Sequence, residues 1–473
     1  IVKPITKMAV MVTDPLDIKY YLDKAVFLAL NGRPGPVWLD VPLDIQGAIV
    51  DEEKLREFSS EEIEKEAPLL KEECVELLLQ KIQAAKSPVV YVGNGVRLAG
   101  RVEQFLSIVE KLNVPVVTAI SGSDIIWHDH PLCFGKPGIC GDRIGNIMVQ
   151  NSDLLIVLGT RLSIRQISYA YDLLAPKAYK VMVDIDENEL KKPTLSIDLP
   201  IHADLRDFLD LFQAKLAGTR LPSFEHWRNW GRAIEKELPT LFDDNPSIPE
   251  YISSYVFADE LFKQLHKGDV VVTGNGTAYT STYQAMKVNR GVRVFANQGC
   301  AAMGYDLPAA IGAAIANDKG RTILVTGDGS VQMNIQELQT LLTYHIPLKV
   351  FILENQGYLA IKTTQQSFFQ GHYMGSDPSS GVVCPDMEKI ANAYDIPFVR
   401  LNQEGDSLKS SIAAVLQYEG AYICEIKMHP LQTLYPKSAS FMDKNGKMSS
   451  APLEKMAPFM PDELQEKCVY CHI

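Results

Sequence analysis

Gly327-Asp328-Gly329-Ser330 follows the apolar run 322–326, and Asn355-Gln356-Gly357-Tyr358 follows the apolar run 348–353. Residues 331–354, 24 in number, separate the two motifs. Each run predicts a buried strand. Each motif then sits at the C-terminal end of its strand, the edge where open parallel sheets bind ligands. A helix is expected to begin just after Ser330, turning free N–H groups and a positive dipole end toward an anion. Gly327 and Gly329 let the backbone approach a phosphate with no Cβ in the way. Asp328 and Asn355 supply hard oxygen ligands. With a backbone carbonyl near Gly357, two diphosphate oxygens and a water, they complete a Mg²⁺ octahedron. Asn355 alone reads as a loop residue, and Gly-Asp-Gly alone as a tight turn. Its spacing to Asn-x-Gly, the two strand contexts and the turn Gly274-Asn275-Gly276 favour a magnesium–diphosphate site.

Outward from these motifs the chain alternates strands with helices, which implies α/β units with parallel sheets covered on both faces. Three doubly wound units are expected, the first incomplete. Residues 1–50 read as the C-terminal remnant of one unit. In it, a helix over 17–30 carries Ile18, Tyr21, Leu22, Ala25, Val26 and Ala29 on one side. Gly32-Arg33-Pro34-Gly35-Pro36 breaks that helix, and a short buried strand follows at 37–41. The charge-dense stretch 51–70 reads as a solvated linker helix. A central unit covers 71–205, with strands at 88–92, 114–118, 154–158 and 179–183 and a helix at 101–112. A helical linker covers 206–255. The diphosphate- and Mg-binding unit covers 256–455, with strands at 269–273, 293–296, 322–326 and 348–353 and helices at 307–316 and 335–344. A tail covers 456–473.

Composition bounds the function. The 473 residues suggest about three domains. The net charge of −12 disfavours a nucleic-acid partner, which needs a basic face. No apolar run approaches the roughly 20 residues of a membrane helix. Eight scattered cysteines in a chain of this size read as reduced thiols in a cytoplasm. Cys468-Val-Tyr-Cys471-His472 has the spacing of a c-type haem attachment, but no domain follows to bury a haem, and a frayed tail is expected. His128-Asp129-His130 before Pro131 reads as a loop rather than a metal cluster.

These motifs resemble the thiamine-diphosphate enzymes of the acetolactate synthase and pyruvate decarboxylase group, over nearly the whole chain. The segment 327–357 resembles the family's diphosphate motif, which implies Asp328, Asn355 and Gly357 as Mg²⁺ ligands and Gly327, Gly329, Ser330 and Tyr358 as cofactor neighbours. Residues 32–42 resemble the end of its pyrimidine-binding domain, and Gly93-Asn94-Gly95-Val96-Arg97 the entry to its central domain. Residues 302–312 resemble the segment under the cofactor. There Met303 matches the residue that wedges beneath the bent cofactor, and the Ala301 carbonyl matches an acceptor for its 4′-amino group. Asn275 and Gly276 match positions that touch the diphosphate. In some relatives the central domain holds FAD without using it for redox chemistry. Arg97, Arg143 and Arg161 lie on its loops, but Gly93-x-Gly95 alone does not decide for a nucleotide.

The resemblance implies decarboxylation of a 2-oxo acid, pyruvate first, followed by ligation to a second carbonyl. The cofactor carries the difficult step, and the protein supplies orientation and a dry pocket. Glu354 stands where an asparagine is common. The stretch 357–369 lacks the Trp of plant and fungal acetolactate synthases. Together with 438–452, it looks more like synthase-like proteins encoded beside surface-polysaccharide genes, where a keto-sugar is the acceptor. Simple decarboxylation, cyclic-dione hydrolysis and a non-catalytic nucleotide-binding protein are the alternatives. The family's activating Glu lies in its pyrimidine-binding domain, and residues 1–50 contain no glutamate. It is therefore expected upstream of Ile1, in a chain of about 570 residues by domain size. The 473 residues are then expected to hold most of a diphosphate site without turning over alone. The family also places its cofactor between subunits, which implies a homodimer or homotetramer.

Overall fold

The computed structural model describes residues 1–63, 70–442 and 448–471. The first unit is small. β1 (Met8–Met11) pairs in parallel with β2 (Val37–Asp40), and the helix Ile18–Leu30 connects them. The strand expected to be buried is instead half-buried on one face and exposed on the other, with Trp38 52% exposed. Leu22 and Val26, expected on the apolar side of the helix, are exposed too. Two strands offer one helix too narrow a surface to cover all its apolar residues. The linker helix expected over 51–70 is replaced, in its described part, by the 3₁₀ turns Glu52–Lys54 and Ser60–Glu62. Asp51 and Ser59 cap these turns locally, as short polar side chains do in competition with a helix. The remaining charges of that run, 64–69, lie outside the described residues.

The central unit contains β3 (Pro88–Val92), β4 (Val116–Thr118), β5 (Leu154–Leu158), β6 (Tyr179–Asp184) and β7 (Leu199–His202). They form one parallel sheet of order β4-β3-β5-β6-β7. Its strands bury both faces: Val90 and Val92 enter one core, Val89 and Tyr91 the other. That is why these strands read as continuous apolar runs. The helix Leu205–Ala217 packs Phe208, Leu209 and Phe212 into the same core. It is part of this unit rather than of a linker.

The third unit contains β8 (Val270–Thr273), β9 (Arg293–Ala296), β10 (Thr322–Gly327), β11 (Lys349–Glu354), β12 (Phe398–Leu401) and β13 (Tyr422–Lys427). All six are parallel, in the order β12-β13-β11-β10-β8-β9. Chain order reverses between β8 and β10, so the topological switch point lies there. Beyond it come two antiparallel pairs. β14 (Lys437–Ser438) pairs with β17 (Met456–Ala457), and β15 (Ser440–Met442) with β16 (Met448–Ser450). Part of the 438–452 stretch, residues 443–447, lies outside the described residues.

The tail is not frayed. The helix Asp462–Lys467 leads to Tyr470, whose ring packs 4.7 Å from Trp227 and 5.0 Å from Trp230. Burial pushes the Cys468 thiol up to about 11. Cys468 is core and Cys471 is exposed, so the two thiols of the haem-like spacing do not present one face. His472 lies outside the described residues.

Candidate active site

The register of β10 against its neighbours builds the site. Gly327 stands beside Leu353, and Val325 beside Thr273. The loops after β8, β10 and β11 therefore emerge together at the switch point. They bring Asn275, Asp328 and Asn355 to one edge from positions 80 residues apart in sequence.

Asp328 is the pivot. Its Oδ1 accepts the N–H of Gly329 at 2.8 Å. Its Oδ2 accepts the N–H of Gly357 at 3.0 Å and that of Asn355 at 3.2 Å. Burial raises its pKa above the usual carboxylate value, and these three N–H groups oppose the rise. Glu354 is raised too, by burial and then by the Asp328 charge. Asn355 is buried, and its side-chain oxygen has no hydrogen-bond partner among the described residues. A desolvated carboxylate and an amide oxygen with no protein partner are a donor set that fits a cation. Its all-oxygen chemistry suits Mg²⁺, which retains water and phosphate ligands of its own. No group of three His, Cys, Asp or Glu side chains placed to hold a metal ion occurs among the described residues, and this mixed set does not require one.

The glycines have separate reasons. Gly357 has φ +124°, and a Cβ there would stand 2.5 Å from the Ser376 carbonyl oxygen. At Gly329 a Cβ would stand 2.4 Å from the Tyr358 ring and 3.6 Å from Met303 Cε. Met303 and Tyr358 thus converge on the Asp328–Gly329 peptide.

The helix expected after Ser330 begins earlier and is broken. A single turn spans Asp328–Val331, a 3₁₀ stretch Gln332–Glu337 follows, and the α-helix proper is Leu338–Thr343. Asn334, at φ −138°, interrupts it and donates its amide to the Gly304 carbonyl at 2.7 Å. Gly304 N–H in turn donates to Ser330 Oγ at 3.1 Å. The segment holding Ala301 and Met303 is clipped to the Asp328 turn in this way. The long helix that does start at the site is Gly276–Ala285, and Asn275 gives it no side-chain cap. Its first N–H groups have no intrahelical partner, as at any helix N-terminus, and face the same edge as the Asp328 turn. Asn275 instead donates its amide to the Ala301 carbonyl at 3.2 Å.

Three residues of the site are given no role by the sequence reading. Lys362 is fully buried, and its Nζ donates to the Asn355 carbonyl at 3.0 Å. Cys384 lies against Asp328, and burial with that charge pushes its thiol up to about 12. Asp306 is buried under the turn of Gly274 and accepts from Thr326 Oγ1. Asp306 and Lys362 lie within the stretches 302–312 and 357–369 and Cys384 outside any motif, and only the packing onto the β10 edge shows their contacts.

A second cavity, of about 460 Å³, opens at the C-terminal edge of the central sheet. Arg33, Arg161, Arg165 and Arg206 line it. Arg97 does not line it; it pairs with Asp124 at 2.8 Å. Arg143 is buried elsewhere against Asp244 at 3.0 Å. The glycines of Gly93-x-Gly95 have a packing reason: Cβ atoms there would stand 2.4 Å from Thr160 Cβ and 2.6 Å from Gly159 Cα.

Comparison with known proteins matches residues 75–212 to the thiamine pyrophosphate enzyme central domain. Residues 274–426 match the C-terminal TPP binding domain of thiamine pyrophosphate enzymes. The chain is 30% identical over 448 residues to the acetolactate synthase large subunit of Cyanidium caldarium, covering 92% of this chain and 74% of that one. It is 30% identical over 439 residues to the acetolactate synthase isozyme 1 large subunit of Escherichia coli (strain K12), with the same coverage of 92% and 74%. A probable acetolactate synthase large subunit of Methanocaldococcus jannaschii is 30% identical over 445 residues, covering 91% and 73%.

Proposed function

This chain belongs to the thiamine-diphosphate enzymes of the acetolactate synthase large-subunit family, and from that premise we propose that it decarboxylates a 2-oxo acid, pyruvate first, and ligates the product to a second carbonyl with Mg²⁺ as its metal. The observation that carries the metal site is the orphaned Asn355 oxygen beside the buried Asp328 carboxylate.

In this reading Asp328, Asn355 and the Gly357 carbonyl hold Mg²⁺. The N-terminus of the helix Gly276–Ala285 holds the diphosphate, with Asn275, Gly276, Gly327, Gly329 and Ser330 around it. Bound thiamine diphosphate supplies the electron sink for loss of CO₂. The protein's part is positional. Met303 and Tyr358 fix the floor above Gly329, Lys362 locks the Asn355 main chain, and the Ala301 carbonyl is the acceptor for an amino group. The cavity at the central sheet edge is the place for FAD, with Arg161 and Arg165 as phosphate partners. The partners are small-molecule substrates and a second copy of the chain, in a cytoplasmic homodimer or homotetramer.

Calorimetry tests the metal site. Thiamine diphosphate is expected to bind only with Mg²⁺ present, and Asp328→Ala is expected to abolish binding; unchanged affinity overturns the proposal. Product analysis of the full-length protein with pyruvate, with and without a keto-sugar acceptor, separates an acetohydroxy acid from a branched sugar or free aldehyde. Light scattering on the full-length protein that shows only monomer, with activity retained, refutes the oligomer.

A further inference from the structure

A cavity of about 670 Å³ lies between the central and third units, away from both sites described above. Its volume falls within the range of small-molecule pockets. Its apolar wall includes Ile126, Ile144, Met286 and Val288. Lys136, His128 and Lys287 supply basic groups. Burial and then Lys136 and Lys287 hold His128 below the usual histidine value, with Asp129 and Glu235 opposing; burial lowers Lys136, with Asp142 opposing and Lys287 adding to the fall.

Three of the four acids that line it are already engaged; the fourth, the exposed Asp129, faces His128. Asp142 accepts the N–H groups of Lys136 at 2.9 Å and Gly145 at 2.8 Å. Glu235 pairs with Arg232 at 2.6 Å. Asp259 takes Lys263 at 2.7 Å and Lys287 at 3.4 Å. Lys136 makes no ion pair among the described residues. Its ammonium donates only to main-chain carbonyls, Met286 at 3.0 Å and Gln284 at 3.4 Å.

Those carbonyls close the C-terminal end of the helix Gly276–Ala285, whose N-terminus is at the diphosphate site. The ten-residue helix spans about 15 Å. A cation at its C-terminus complements its dipole.

We propose that this cavity binds a small dicarboxylate and that the ligand weakens cofactor binding through this helix. One carboxylate takes the Lys136 ammonium, the other faces Lys287 and His128, and the carbon chain lies on the apolar wall. Drawing Lys136 off the Met286 and Gln284 carbonyls removes the helix's C-terminal partner. The coupling rests on the diphosphate reading above; the anion site itself does not.

Succinate is the probe, titrated by calorimetry into the chain without thiamine diphosphate. A dissociation constant below about 1 mM is expected. Lys136→Met is expected to weaken it about tenfold or more, as loss of a charge-assisted hydrogen bond does. Lys287→Met, at a half-exposed residue that leaves the fold intact, is expected to weaken it as well. No heat of binding, or binding indifferent to both variants, overturns the site. Binding of inorganic phosphate with succinate silent overturns the dicarboxylate class. In a second titration, saturating succinate is expected to lower thiamine diphosphate affinity about fivefold or more. Unchanged affinity overturns the coupling. If the cofactor does not bind at all, the diphosphate reading fails, while the succinate titration still decides the anion site.

Discussion

The Nζ of Lys362 donates to the main-chain carbonyl of Asn355 at 3.0 Å, inside the protein. The bond ties the helix Leu359–Phe368 to the loop that presents the Asn355 side chain. Burial holds this ammonium below the usual lysine value, while Asp377, Asp328 and Glu354 pull it back up. Lys362→Met keeps the volume and removes both the donor and the charge. Mg²⁺-dependent thiamine diphosphate affinity is expected to fall about tenfold or more. Lys362→Arg is expected to recover part of it. Calorimetry on the two variants checks this, and equal affinities for Met and wild type refute the positioning role.

Gly357→Ala is expected to damage the metal site more than the fold. The new methyl must displace the Ser376 carbonyl and adopt φ +124°, a combination strained for any L side chain. A destabilisation of about 1–3 kcal/mol is expected in denaturant unfolding. Loss of Mg²⁺-dependent cofactor binding is expected alongside.

Asp124 holds the central and third units together. Its carboxylate takes Arg97 at 2.8 Å from one unit, and Arg293 at 2.7 Å with the Val294 N–H at 3.0 Å from the other. Its side chain is fully buried, while the two arginines are about one-third exposed. Asp124→Ala removes the carboxylate partner of two guanidinium groups and an N–H, with Arg293 left only its bond to the Val294 carbonyl. A cost of about 3 kcal/mol is expected, at the low end for a broken buried pair because water screens the arginines. Chemical unfolding of wild type and variant measures it.

Lys349 gives a pH signature. It lies inside β11, donates to the Tyr418 and Gly420 carbonyls, and burial lowers its pKa from the ordinary 10.5 to about 8. Between about 8 and 10.5 the unfolded chain holds this proton and the folded one does not. Unfolding then takes up a proton, so stability from this group rises with pH across that window. Relative to Lys349→Met, wild type is expected to gain stability from pH 8 to pH 10, read by guanidinium unfolding at each pH. A difference independent of pH refutes the shift.

Much of the fold was legible because buried parallel strands are nearly uniform in polarity. The runs at 88–92, 154–158 and 293–296 coincide with β3, β5 and β9 residue for residue. β7, β12 and β13 were not read. Pro200, Arg400 and Glu425 interrupt their apolar character. Arg400 and Glu425 pair with one another across β12 and β13, which no local pattern shows. The Leu205–Ala217 helix read as linker because its charged face dominates locally; only the central sheet supplies the surface for Phe208 and Phe212. The tail read as frayed because Tyr470 finds Trp227 and Trp230 only in three dimensions.

The sequence by itself determined the α/β class, the two strand-end motifs and the oxygen chemistry of Asp328 and Asn355. These are properties of residue type and spacing, so they are readable without coordinates. Tertiary structure decided that the helix Gly276–Ala285 also starts at this edge, and that the helix at Ser330 is broken because Asn334 turns back to Gly304. It also decided that Lys362 and Cys384 belong to the site, and that Lys136 sits at the far end of the cofactor helix. The physical reason is common to all three. A buried polar group must find its partner wherever the fold brings one, and strand order, not sequence distance, sets which loops meet.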